Sequence, residues 1–313
     1  MELKDLGERK VIEIMAERYG SINLDDCATV DVGDEFFLVT TDTVNEKTHL
    51  PEGAAPYQMG WFIVAINLSD IAAKGGKPVG LTLSLGLPKN KDVNFIKKFS
   101  DGADDCAKKF GTKIIGGDTK EMDSITLCGT ALGIVKKKDF MPRKGARPGD
   151  TICVTGELGG AGVAIRTLRK REDEKALQKI LLVNPRVKEG MAAASAGGVT
   201  SSMDISDGLA SSLYQLSKIN DVGFEIHAER IPTAEEAKSD DFSLYSGGDY
   251  ELLFTVSPGK FKDVEKAVGN SGCKLTDIGT VTKEKKVVLI EHKEEKILEN
   301  RGYEHFLNQG KNL

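Results

Sequence analysis

Apolar positions in this chain fall into two alternating rhythms: runs at helical spacing, and short blocks closed by turn-forming residues. Lys4 to Arg18 mixes apolar and charged positions at helical period and predicts an amphipathic helix. Phe36–Thr40 is a short apolar run ending in Thr-Thr-Asp, which predicts a strand followed by a polar turn. Ala55–Ala73 has helical periodicity, with Trp61, Val64, Ala65, Leu68 and Ala72 on one face. Gly75-Gly76-Lys77-Pro78 stops it. A strand at Leu81–Leu87, a helix at Val93–Phe110 and a strand at Lys113–Ile115 follow, the last leading into Gly116-Gly117-Asp118. Ile125–Val135 is a further strand, and Lys136–Lys138 reads as its solvated end.

Gly145-Ala146-Arg147-Pro148-Gly149-Asp150 is rich in turn formers and predicts a boundary between domains at 1–144 and 145–313. Beyond it, Thr151–Thr155 reads as a strand, residues 156–162 as a glycine-rich turn, and Val163 to Lys170 as a helix. The charged stretch Arg169–Lys175 reads as a solvated helix end or loop. Pro185 opens a helix through Ala194, Thr200–Ile205 is a strand running into Ser206-Asp207-Gly208, and Leu209–Lys218 is a helix. Ser246-Gly247-Gly248-Asp249 is a loop into the strand Tyr250–Thr255, and Phe261–Phe306 alternates helix and short strands. Interleaved strands and helices in both halves give an α/β or α+β class.

The length of 313 residues suits two domains of roughly 150 residues each. A formal net charge of -5 argues against a broad nucleic-acid surface. No apolar run approaches bilayer length, and the charged start MELKDLGERK does not read as a secretory signal. The five cysteines are odd in number and none is spaced C-x-x-C, so neither a disulfide framework nor a zinc site is expected, and the chain reads as cytoplasmic. Cys27 reads as a small semi-buried apolar residue rather than a nucleophile.

Chemistry enters with the aspartates. Asp26, Asp42, Asp70, Asp118 and Asp204 occur in five separate stretches, each where an apolar run meets a turn. A carboxylate beside buried apolar residues is costly unless it is paired. Any one of them has a plain alternative: Asp204 or Ser206 as a helix cap, Asp70 on a polar helix stripe, Asp42 in a turn. Together they suggest one convergent polyanionic site, suited to Mg2+ and a phosphate chain. Thr40 and Thr41 add oxygens beside Asp42, and Asn67 lies one helical turn before Asp70. Arg143 could clamp a phosphate, and His49 closely follows the Asp42 segment. Neither a P-loop nor a standard dinucleotide fingerprint occurs. The glycines at 156–162 could bring backbone N–H groups to a phosphate, or form a tight strand-to-helix turn.

The chain resembles the thiamine-monophosphate kinase family, of the superfamily that includes aminoimidazole ribonucleotide synthetase. The resemblance is carried by DDCA (25–28), TTDT (40–43), VAINLSDIAAKGGKP (64–78) and IIGGDT (114–119). GARPGDTICVTGELGGA (145–161), MDISDGLASSL (203–213), SGGDYELLFT (246–255) and GYEHF (302–306) complete it. It implies a two-domain aminoimidazole ribonucleotide synthetase-like fold whose N-terminal sheet joins a barrel in a homodimer. It also implies transfer of the γ-phosphoryl group of ATP to thiamine monophosphate, with several Mg2+ ions. The implied metal ligands are Asp26, Thr40, Thr41, Asp42, Asp70, Asp118, Asp204 and Asp207, of which Asp42, Asp118 and Asp204 are the catalytic core. Nucleotide contacts fall on Gly117, Asp118, Arg143 and Ser206, and substrate contacts on His49, Asp249 and Phe306. Two motifs depart from the family pattern. Ile22-Asn23-Leu24 stands where glycines are usual, and the loop before Tyr250 has the single acid Asp249. Two other expectations stay open beside the kinase: a sibling enzyme acting on another substrate, such as a purine precursor, and a non-catalytic nucleotide or thiamine-phosphate sensor.

Overall fold

The computed structural model describes residues 2–20, 24–238 and 241–306. Ile22 and Asn23 of the first motif therefore lie outside the described residues. The first half comprises α1 (Glu8–Tyr19), β1 (Ala28–Val32), β2 (Glu35–Asn45), α2 (Pro56–Ala73), β3 (Lys77–Leu87), α3 (Val93–Lys109), β4 (Ile114–Glu121) and β5 (Thr126–Lys136). Its five strands form one sheet in the order β1-β2-β5-β3-β4, antiparallel except for β3 with β4.

The second half comprises β6 (Thr151–Thr155), α4 (Gly160–Leu168), α5 (Glu174–Leu181), α6 (Val187–Ala196), β7 (Val199–Ile205), α7 (Leu209–Asn220), β8 (Gly223–His227), α8 (Phe242–Tyr245), β9 (Glu251–Val256), α9 (Phe261–Asn270), β10 (Leu275–Thr282), β11 (Val287–Glu291) and β12 (Glu294–Ile297). Its sheet has seven strands in the order β12-β11-β8-β10-β6-β9-β7.

Three differences from the sequence expectation shape the site. Thr40, Thr41 and Asp42 are not in a turn, because β2 stays paired with β5 from Glu35 through Asn45. Likewise Gly116-Gly117-Asp118 continues β4 along β3. An unbroken backbone ladder outweighs the turn preference of Thr-Thr-Asp and Gly-Gly-Asp. The helix at 55–73 is not one-faced either. Fourteen of the eighteen residues of α2 are buried, because it packs on the five-stranded sheet, on α3, and on α6 and β7 of the second half. A helix enclosed on every side needs no polar stripe. Any polar group it carries must therefore be satisfied internally.

Close packing of α2 with α3 rests on two glycines. A Cβ on Gly60 would lie 2.0 Å from the Phe99 carbonyl oxygen, and one on Gly102 would lie 1.9 Å from that of Tyr57. One apolar core runs from Cys27 and Leu38 through α2 and α3 to Phe254 and Leu275, joining both halves. A second core lies under α7, with Met203, Leu213 and Phe224. The opposite face of the five-stranded sheet has an apolar surface. Phe37 and Val39 on β2, Leu132 and Ile134 on β5 are half-buried there, and Val30 beside Phe37 on β1 is exposed.

Candidate active site

The last turns of α2 organise the site. Asn67 is buried, donates from Nδ2 to the Ile63 carbonyl at 2.8 Å, and accepts the Asp42 backbone N–H at 3.2 Å. It thereby locks β2 against the helix. One turn on, Asp70 accepts the Thr40 hydroxyl. Ser69 donates to Asp204 Oδ2 at 2.7 Å, and Ser202 donates to the Ala73 carbonyl at 2.6 Å, so β7 is bound edge-on to the same helix. Carboxylate oxygens of Asp26, Asp70 and Asp204 consequently lie within 4.8 Å of one another. They come from the segment before β1, from α2 and from β7.

Cations answer one end of this cluster. Lys74, the residue closing α2, is fully buried with Nζ 2.6 Å from Asp25 Oδ1 and 2.7 Å from Asp26 Oδ2. Arg143 donates through Nε and its terminal nitrogen to Asp26 Oδ1, and its backbone N–H donates to Asp25 Oδ2. Burial opposes ionisation of Asp26, yet Arg143 and Lys74 outweigh it and hold the carboxyl below its ordinary range. The other end lacks such partners. Burial first, then Asp42, Asp204 and Asp26, push the Asp70 carboxyl well above the usual value. Burial and then Asp26 raise Asp204 to about 7, and burial, then Glu8 and Asp26, raise Asp42 to about 6. Crowded, desolvated carboxylates of this kind bind protons unless a cation replaces them.

Beside the cluster opens a cavity of about 710 Å³, whose walls include Thr41, Asp42, His49, Ser206, Asp207 and Tyr250. Glu8, Tyr303 and His305 also face it. His49 and His305 meet with their Nε2 atoms 3.2 Å apart, and Thr48 lies 2.7 Å from His49 Nδ1. The C-terminal segment is tied down by the Glu8 N–H on the His305 carbonyl and the Tyr303 N–H on the Asp207 carbonyl.

Five expected site residues sit elsewhere or are otherwise engaged. Asp249 is absent from the cavity wall. Its two oxygens accept the Gly159 and Ala161 N–H groups at 2.6 and 3.0 Å. It is the capping carboxylate of α4, and the glycine turn accordingly offers those two N–H groups to no phosphate. Phe306 is about half-exposed, near His305 but not on the wall. Arg143 is held by Asp26 rather than presented to the cavity. Asp118 and Gly117 line a separate cavity of about 490 Å³ between β4 and α3. Through Ser84 and Cys128 the register sets Asp118 three strands, about 14 Å, from Thr43. Neither Asp204 nor Ser206 caps α7, which begins at Leu209 without a side-chain cap. Cys27 is fully buried with its thiol pKa pushed well up by burial, which suits a core residue.

Sequence reasoning missed Glu8, Asp25, Lys74, Tyr250 and His305. His305 stood within the GYEHF motif, and Lys74 was the charge directly following a long apolar helix, so both left a trace.

Two family models cover most of the chain: AIR synthase related protein, N-terminal domain, at residues 24–135, and its C-terminal domain at 147–292. The thiamine-monophosphate kinase of Methanospirillum hungatei is 35% identical over 288 residues, covering 91% of this chain and 95% of that protein. The chain belongs to the thiamine-monophosphate kinase family. Its Pyrococcus horikoshii relative of the same name is 32% identical over 306 residues, covering 95% of this chain and 96% of that one. A solved structure of AaThiL complexed with AMPPCP and TMP superposes with a TM-score of 0.86 at 29% identity, covering 97% of this chain and 99% of that one. The two-domain, mixed α/β architecture of the family is thus present over nearly the full chain.

Proposed function

We propose that the protein transfers the γ-phosphoryl group of ATP to the phosphate of thiamine monophosphate, giving thiamine diphosphate and ADP, with Mg2+ held by the aspartate cluster. The observation that carries this reading is the convergence of Asp26, Asp70 and Asp204 beside a cavity large enough for a small phosphorylated ligand, in a chain of this family. The donor set suits a hard cation: carboxylate oxygens of Asp26, Asp70 and Asp204 within 4.8 Å of one another. Thr40, Thr41, Asp42 and Asp207 complete the ligand set in this reading. These residues would hold Mg2+, which would supply charge neutralisation between facing phosphates for an in-line displacement.

The acceptor phosphate is already a nucleophile at neutral pH, so no strong base is required. His49 suits the role of a neutral hydrogen-bonding partner to the substrate, since burial and then His305 press its pKa down to about 4. Ser206 and Arg143 remain candidates for the nucleotide phosphates, Arg143 through Nη1, which Asp26 does not hold. Phe306 and Asp249 keep a substrate role only if the C-terminal segment and the α4 cap rearrange.

A homodimer and a cytoplasmic location belong to the same reading. The apolar open face of the five-stranded sheet supports the dimer, and among the described residues no helix is long and apolar enough to cross a membrane. Asp118 and Gly117 stand on that open sheet's edge strand, so in a dimer they serve the nucleotide at the partner's cluster.

The test is incubation with ATP, Mg2+ and a panel of phosphorylated acceptors, with chromatographic separation of products. Thiamine diphosphate and ADP formed together, and abolished by EDTA, are expected. Turnover of a purine precursor alone would support the sibling enzyme. Ligand binding without any turnover would support the sensor.

A further inference from the structure

Lys74 is among the largest fully buried side chains of the described residues. It closes α2, where the helix end favours positive charge. Its ammonium has three oxygens at coordination-like distances, drawn from two segments: Asp25 at 2.6 Å, Asp26 at 2.7 Å and the Ser202 carbonyl at 2.8 Å. Two of those three oxygens belong to carboxylates, which favour the ammonium form. Lys74 therefore sits as a permanent cation at the junction of the two halves. Together with Arg143 it matches the charge of Asp25 and Asp26 one for one. Asp70 and Asp204 instead have hydroxyl partners, Thr40 and Ser69.

We propose that Lys74 is a positioning residue that acts as a built-in cation, filling the Asp25–Asp26 end of the cluster so that exchangeable divalent ions are held chiefly at the Asp70–Asp204 end. The inference deepens the cation reading above and rests on it. It makes the site asymmetric. One carboxylate pair is neutralised within the fold, which orients Asp26 and lets the domains pack without metal. The other pair stays open to ions that arrive with the nucleotide. A merely structural buried ion pair would contribute to folding and leave ion affinity untouched.

Equilibrium Mn2+ binding and thermal melting separate these cases. Lys74→Met removes the internal charge. It is expected to bind Mn2+ at least about tenfold more tightly, or at one added site, as unscreened carboxylates attract cations at short range. Its melting temperature should fall without metal and recover toward wild type as Mn2+ is added. Asp25→Asn keeps one acceptor oxygen, enough for Lys74 but not for the Arg143 N–H as well, and serves if Lys74→Met does not fold. It leaves one positive charge in excess and is expected to weaken Mn2+ binding about tenfold. Wild-type affinity in Asp25→Asn, or in a folded Lys74→Met, would overturn the proposal while leaving the cation site standing. Absence of Mn2+ binding by wild-type protein would overturn the cation reading, and the proposal with it.

Discussion

At the residue scale, the site is defined by which carboxylates have a cation and which do not. Asp70 has Thr40 as its hydroxyl partner and three aspartates as electrostatic neighbours. Asp70→Asn keeps the shape and removes one buried charge. It should cost turnover on the order of 10²-fold or more, while raising the melting temperature of the metal-free protein. Loss of both activity and stability would point to a structural residue instead. His49 gives a pH expectation. Its folded pKa of about 4 lies below the unfolded value of 6.5, so the unfolded chain binds the extra proton between them. The stability linked to His49 is present above about pH 6.5 and is lost as pH falls toward 4. Its imidazole C–H resonances should not titrate between pH 8 and 5.5 in an NMR series. A midpoint near 6.5 would contradict the buried contact with His305. Much of the acid cluster was legible in the sequence, since an aspartate ending an apolar run has few cheap fates. Asp249 was not. A carboxylate capping a glycine turn and one reaching for substrate look identical in sequence, and only the Gly159 and Ala161 N–H contacts tell them apart. Asp249→Asn should lower the melting temperature, with a cap contribution of about 1 kcal/mol, and leave the KM for thiamine monophosphate within a few fold. A large rise in KM without loss of stability would restore the substrate role.

At the element scale, α2 is the axis of the molecule. It binds β2 through Asn67, supplies Asp70, and meets β7 through Ser69 and Ser202. Its helical period was readable, but its burial on all sides was not, because periodicity cannot register layers contributed by residues a hundred positions away. The same limit explains β2 and β4, whose polar ends are held in strands by partners distant in sequence. The contact of α2 with α3 leaves no room at Gly102. Gly102→Ala should destabilise the protein by about 1–3 kcal/mol or more through overpacking, seen in denaturant titration. An unchanged midpoint would show that the two helices separate freely.

At the scale of the whole molecule, the two halves share one core and divide the site between them, Asp26 and Asp70 in the first and Asp204 in the second. The α/β character and the change of sheet between Lys136 and Thr151 were legible from alternating patterns and the turn-rich stretch at 145–150. The open sheet face was not, because Val39, Leu132 and Ile134 read as ordinary strand interior. Leu132→Glu places a charge on that face and should yield a folded monomer in sedimentation, with activity lost if a second chain supplies Asp118. A variant that stays dimeric and active would remove that face from the interface.

Direct phosphoryl transfer at the aspartate cluster can be followed in a single turnover with γ-labelled ATP and excess thiamine monophosphate. Label is expected only in the terminal phosphate of thiamine diphosphate, dependent on Mg2+ and nearly absent with Asp70→Asn. Label appearing on the protein or as inorganic phosphate, or an undiminished product burst from Asp70→Asn, would contradict it.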